Sequence, residues 1–373
     1  MSETRKRIES IGICVAVIVA YLAMYVLTLM YEDAIAPGMQ IGYIVRMNVD
    51  GLVMALIVAL IPYEKISYIW HRDFTQYWLG VKSRNNEINM MIEAAVLYGI
   101  SSFVSIWLKD NLFQWKYRNV LLLAFLLTVM MAWIVVNSFQ LIKSNVWLFT
   151  VDLIAIAANS LIVYILTNNF SKTALTTCAM IIGWNVCNVL SDRKYKLFSL
   201  LASILCGAEA FGMVVDLAGK YRELDAWIDP TKMMNIPYSS DMGALKSHTL
   251  RMPNDFPWFK QFDHPFISIN HFLGMGALMI MLLAFVFITI AFVRSYKILS
   301  ENRFKLLTFL YSMFAVTYIY TLSADLGFVP AATNVSLISV RIDIIAIGIM
   351  VRLFLIRPVP QRVIEEFDYS LND

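Results

Sequence analysis

Long apolar stretches separated by short polar breaks run along the whole chain. A helix that crosses a bilayer needs about 20 predominantly apolar residues. Ten stretches approach or exceed that length, roughly 9–31, 44–64, 88–108, 119–142, 147–167, 173–190, 197–218, 266–293, 306–325 and 335–356. The pattern predicts an all-α integral membrane protein with about ten transmembrane helices. Only Lys143-Ser144-Asn145 divides 119–167 into two spans. Residues 1–218 then hold the first seven helices, 219–265 form a long loop, and 266–373 hold the last three helices and a short acidic tail.

Composition agrees and adds an orientation. Of 373 residues, 59% are hydrophobic and 15% charged, whereas a soluble domain charges about a quarter of its residues. The net charge of +3 is too small to indicate a nucleic-acid partner. Lys and Arg gather in alternate breaks, among them Arg5-Lys6-Arg7, Lys82, Arg84, Lys143, Arg193-Lys194, Lys196, Arg294, Lys297, Arg303 and Lys305. The opposite short breaks carry only Lys109, Lys116, Arg118 and Lys172. The positive-inside rule then places both termini in the cytoplasm and the 219–265 loop outside. No Ala-x-Ala site follows the first apolar stretch, so it is expected to stay as an anchor helix. Cys14, Cys178, Cys187 and Cys206 all fall in apolar stretches and suit small core hydrophobes rather than a disulfide framework or a zinc cluster.

Candidate chemistry concentrates where the long loop meets the eighth stretch. Asp263 sits at that boundary, two residues before Pro265. A carboxylate there can take a proton from a sugar hydroxyl as a general base, or it can simply cap the helix that follows. Trp115, Lys116 and Arg118 crowd an outer break otherwise poor in cations. They could meet a diphosphate or anchor the headgroup layer. Glu209, Asp216 and Lys220 share one face of the seventh stretch, and Arg341 lies about two turns inside the tenth. An arginine at that depth could clamp a diphosphate or pair with Asp325 as a structural tie. Other charges inside spans, Asp50, Glu93, Asp152 and Asp343, are costly and so are functional candidates. His248, Asp255, Asp263, His264 and His271 lie on or next to the loop but show no zinc spacing, and no metal site is expected from them.

Three stretches resemble the SEDS family, the FtsW, RodA and SpoVE polytopic proteins that polymerise peptidoglycan. Tyr221-Arg222-Glu223-Leu224-Asp225 through Asp229-Pro230 is similar to the family's opening of its large outer loop. Asp263 through Leu273-Gly274 is similar to that loop's closing acid and Leu-Gly. Leu326-Gly327-Phe328-Val329-Pro330 through Leu337-Ile338-Ser339 is similar to the Gly-Leu-Leu-Pro to Phe-Ile-Ser segment near the last span. A weaker echo is Val151-Asp152-Leu153. Val340-Arg341-Ile342-Asp343 departs from the family's Tyr-Gly-Gly-Ser, and His271-Phe272 replaces its paired glutamates.

The resemblance implies a glycosyltransferase of the bacterial cytoplasmic membrane that polymerises a polyprenyl-diphosphate-linked sugar, lipid II or a relative, at the outer face. Asp263 would be the catalytic base. Trp115, Lys116, Arg118, Lys220, Arg222, Ser339 and Arg341 would bind the donor. The resemblance fixes no cofactor, and a divalent cation, magnesium or manganese, could neutralise the leaving diphosphate. The expected partner is a class B penicillin-binding protein, a transpeptidase. The rival expectations are an inactive SEDS-like scaffold for such a partner and, third, a transporter or flippase.

Overall fold

Two asparagines make the tightest turn described in the chain. Asn168 adopts φ 47°, and its N–H donates to Tyr164 O at 2.7 Å, closing the preceding helix. Asparagine tolerates this left-handed conformation better than most residues do. The next residue opens a new helix, because Asn169 Oδ1 accepts the Lys172 N–H at 3.1 Å, which is N-cap chemistry. The turn therefore puts Lys172 in the first helical turn.

The computed structural model describes residues 6, 8–20, 23, 53, 56–57, 86–112, 117–142, 144–190, 204, 266, 275–296, 299, 301–325, 346–351 and 353. The main elements are α1 (Ile8–Ala20), α2 (Asn86–Asn111), α3 (Tyr117–Leu141), α4 (Asn145–Thr167), α5 (Phe170–Leu190), α6 (Met275–Ser295) and α7 (Glu301–Asp325). These described elements are all helical, and α2, α3, α4, α6 and α7 are long and apolar enough to cross a membrane. The division at Lys143-Ser144-Asn145 is present, between α3 and α4. Large apolar side chains such as Phe103, Ile154, Leu161, Val189 and Val293 stand exposed on the bundle's flanks, as expected of a surface bathed in lipid.

Side-chain contacts fix the helix directions. Ser138 with Asp152, and Thr128 with Asn159, set α3 against α4. Asp152 with Trp184, and Ser160 with Thr177, set α4 against α5. Gly183 against Phe309, and Cys187 against Lys305, run α5 antiparallel to α7. Thr289 with Tyr311, and Met281 with Tyr318, do the same for α6 and α7. At what is here termed the upper end, α2, α4 and α7 finish while α3, α5 and α6 begin.

Two apolar cores meet at α3 and α7. One gathers α2, α3, α4 and α5 around Met131, Val135, Met180 and Trp184. The other gathers α1, α6 and α7 with Phe266 and the 346–353 stretch. Lipid supplies no hydrophobic drive between helices, so close packing and interhelical hydrogen bonds hold such a bundle. An aromatic ladder does this between α6 and α7. Phe292 stacks on Tyr311 at 4.2 Å and Phe285 on Tyr318 at 4.3 Å, while Tyr318 donates to Met281 O at 3.0 Å.

Tyr98, Asn159 and Thr128 form a hydrogen-bonded relay across α2, α4 and α3, with Tyr98 Oη donating at 2.9 Å and Asn159 Nδ2 at 3.3 Å. Tyr98→Phe is expected to destabilise the bundle by only about 0.6 kcal/mol, the average for such bonds in membranes. Equilibrium unfolding in mixed micelles checks this, and a loss several times larger would give the relay a greater structural share.

Candidate functional site

Helix α5 differs from its neighbours. Its 21 residues span roughly 32 Å at 1.5 Å each, enough to cross a bilayer, yet it does not share the apolarity of the five. The sequence pattern predicts residues 173–190 as one of the apolar spans. The helix instead begins at Phe170 and turns Lys172, Thr176, Asn185 and Asn188 into the bundle, leaving Ile182, Val186 and Val189 outside. Buried charges in such a setting are expensive and mark either function or a tie between helices. Two polar centres lie along α5.

The lower centre is built on Asp152 of α4, whose side chain is wholly buried. One carboxylate oxygen accepts the Trp184 Nε1–H at 2.8 Å and the other accepts the Ser138 hydroxyl. Lys305 is also buried, its ammonium 4.9 Å from the Phe139 ring centre, a cation–π distance. Cys187 of α5 is buried beside Lys305. Its Sγ is 3.7 Å from Lys305 O. The charge pattern counts Lys305 among the cations of an inner break, but α7 starts at Glu301 and carries it into the core. A carboxylate held by two donors is suited to clamping α3, α4 and α5 together.

The upper centre is a cavity of about 40 Å³ between α3, α4, α5 and α7. Lys172, Thr128, Thr167, Thr176 and Thr317 contribute its polar lining, and Leu121, Phe125, Leu175, Phe314 and Ala346 are among its apolar walls. The Lys172 side chain is 2% exposed. Each of the four threonine hydroxyls donates to the carbonyl four residues back at 2.8 Å. Sequence reasoning puts Lys172 in an outer break and does not select it. The available signal was a cation in the first turn of a helix, where the peptide dipole disfavours positive charge.

Of the residues selected from sequence, Asp263, Trp115, Lys116, Lys220, Arg222, Ser339 and Arg341 lie outside the described residues. Arg118 is the second residue of α3, with only its backbone described. Described neighbours of two of them line the upper cavity. Leu121, three residues after Arg118, lines it, as does Ala346, five residues after Arg341. Phe266, three residues after Asp263, is buried and meets Tyr318 edge-on at 5.0 Å. Tyr318 adjoins Thr317 of the cavity wall. Glu93 is buried on α2. Among the described residues no group of three or more His, Cys, Asp or Glu is placed to hold a metal. The chain matches no known family model and no curated protein.

Proposed function

We propose that the protein is a SEDS-like membrane glycosyltransferase that joins sugars from a polyprenyl-diphosphate donor at the outer face of the bacterial cytoplasmic membrane, in concert with a class B penicillin-binding protein. The observation that carries this reading is the meeting of separate chain segments at the upper end. Phe266, three residues after Asp263 in the sequence, is buried against Tyr318 of α7. Arg118 is one helical turn from Leu121, and Lys172 is in the cavity itself. In this reading Asp263 would take the proton of the acceptor hydroxyl, and Arg118 and Lys172 would face the diphosphate leaving group.

Helix direction supports the ten-span topology in this reading. The α1–α6 contact runs from Glu9 beside Arg294 to Ala20 in the groove with Ile280, which sets the two antiparallel. Consequently α1 points the same way as α2, and α5 the same way as α6. Helices that cross one bilayer in the same direction are separated by an odd number of crossings. The apolar stretches 44–64 and 197–218 would supply them.

Purified protein, supplied with lipid II and a class B partner, is expected to form glycan polymer. Asp263→Asn is expected to lower the rate about 10²- to 10⁴-fold, the usual contribution of a positioned general base. Polymer length on gels reads the result. Wild-type protein that makes no product with a functional partner present removes the enzyme reading. Full complementation of a deletion by Asp263→Ala favours the scaffold, a role compatible with Val340-Arg341-Ile342-Asp343 standing where the family has Tyr-Gly-Gly-Ser.

A further inference from the structure

We propose that the upper cavity holds ordered water, and that this water joins the upper half of α7 to α3, α4 and α5. Hydrogen bonding is the first reason. Thr128, Thr167 and Thr176 line the cavity from α3, α4 and α5, and Thr317 lines it from α7. Each hydroxyl gives its proton to the carbonyl four residues back on its own helix at 2.8 Å. A hydroxyl oxygen that donates in this way keeps lone pairs, so these threonines present acceptors to the space between them. Acceptors cannot bond to one another. A molecule that brings its own O–H donors and bridges pairs of them completes the set, and water is the smallest that does so.

Size agrees. One water needs roughly 10–15 Å³ of such a cavity, so about 40 Å³ has room for about three. Depth separates them from bulk solvent. Thr176 lies six residues after Phe170, where α5 starts, and Thr128 eleven after Tyr117, where α3 starts, roughly 9–16 Å below those helix ends. All four threonines are buried, and Phe125 and Phe314 stand among the apolar walls.

Placement gives the water a role. The lower half of α7 meets α5 directly, with Gly183 against Phe309 and Cys187 Sγ 3.7 Å from Lys305 O. Higher up, the Thr317 hydroxyl bonds to Met313 O within α7, and the threonines opposite have their protons committed in the same way. On the far side, Thr128 Oγ1 also accepts from Asn159 Nδ2 at 3.3 Å, and Asn159 Oδ1 accepts from Tyr98. Water between Thr128 and Thr317 therefore extends the relay of α2, α4 and α3 to α7. This role stands apart from sugar transfer and is measured without turnover.

The test uses the full chain in detergent and brief X-ray exposure, which turns bound water into hydroxyl radicals that label adjacent side chains, read by mass spectrometry. Phe314 is 4% exposed and lines the cavity, whereas Phe309 is 0% exposed and packs against Gly183. Phe314 is expected to be labelled several-fold faster than Phe309. Making Thr176→Val and Thr317→Val together keeps the branched shape, removes two acceptors and is expected to bring Phe314 down to the Phe309 rate. In the same variant, hydrogen exchange along residues 314–325 of α7 is expected to quicken several-fold while 303–312 stays as in the wild type. Wild-type Phe314 labelled no faster than Phe309 means a cavity that is dry or filled by a hydrocarbon chain, and overturns the proposal. That comparison needs no variant, so it holds even where the double variant fails to fold. Unchanged Phe314 labelling in a folded double variant overturns the threonine site, and labelling that falls with exchange unchanged overturns the joining role.

Discussion

Replacing Asp152 with leucine is expected to destabilise the bundle by about 1–3 kcal/mol, the cost of leaving a buried hydrogen-bond donor without its acceptor. The loss falls unevenly on its partners. Ser138 Oγ is also 2.7 Å from Val135 O, so its proton has another acceptor within the same helix. The Trp184 Nε1–H bonds to Asp152 Oδ2 and would be stranded in an apolar core.

Asp152→Asn separates these contributions. Its amide oxygen can still accept from Trp184, and its NH2 can donate to Ser138 Oγ while that hydroxyl turns to Val135. The hydrogen bonds survive and only the charge is removed, so the asparagine variant is expected to retain at least half of the lost stability. Denaturation in mixed micelles, followed through tryptophan fluorescence, reads both variants. Wild-type stability in Asp152→Leu would show that the carboxylate contributes nothing to holding α3, α4 and α5 together.

The second large effect is expected at Gly183. A Cβ built there would lie 2.8 Å from Phe309 Cδ1 and 3.1 Å from Phe309 Cα. The ring can rotate away, but the backbone of α7 moves only with the whole helix. Small residues that let backbones approach are what membrane helix pairs pack on. Gly183→Ala gains about 1 kcal/mol of helix propensity and loses about 1–3 kcal/mol to overpacking. Gly183→Val adds a branched side chain to the same clash and is expected to cost roughly 3 kcal/mol or more. Combining Gly183→Ala with Phe309→Leu should recover part of the loss, because it relieves the clash with the ring but leaves the crowding against the α7 backbone. Thermal unfolding of the three proteins decides the matter, and a Gly183→Val protein as stable as wild type would refute the close approach.

The architecture was legible to different depths. Apolar length alone located α2, α3, α4, α6 and α7, because a membrane helix must be apolar over its whole length. Asparagines at 168 and 169 explain why α4 and α5 are joined so tightly, a matter of turn and cap chemistry that apolar counting does not see. The same counting hid the character of α5, since Ile181, Ile182, Val186 and Val189 outweigh an inward face of Lys172, Thr176, Asn185 and Asn188. Asp152 could be selected because a carboxylate inside a span is costly wherever it sits. Its partners could not, because Ser138 and Trp184 are 14 and 32 residues away and only tertiary packing joins them. Lys305 was misplaced for a related reason. The orientation rule counts cations by their distance from a span, and α7 begins four residues earlier than the lysine, so a residue assigned to a loop belongs to the core.

The aromatic ladder between α6 and α7 has a mechanical consequence. Phe285 and Phe292 each stack face to face on α7 rings, and Thr289 and Tyr318 lock the spacing with polar bonds. Sliding α7 along α6 by one helical turn, about 5.4 Å, would break every stack together. The two helices must therefore tilt or swing as a single lever, carrying whatever is fastened at the end of α7 through the same arc.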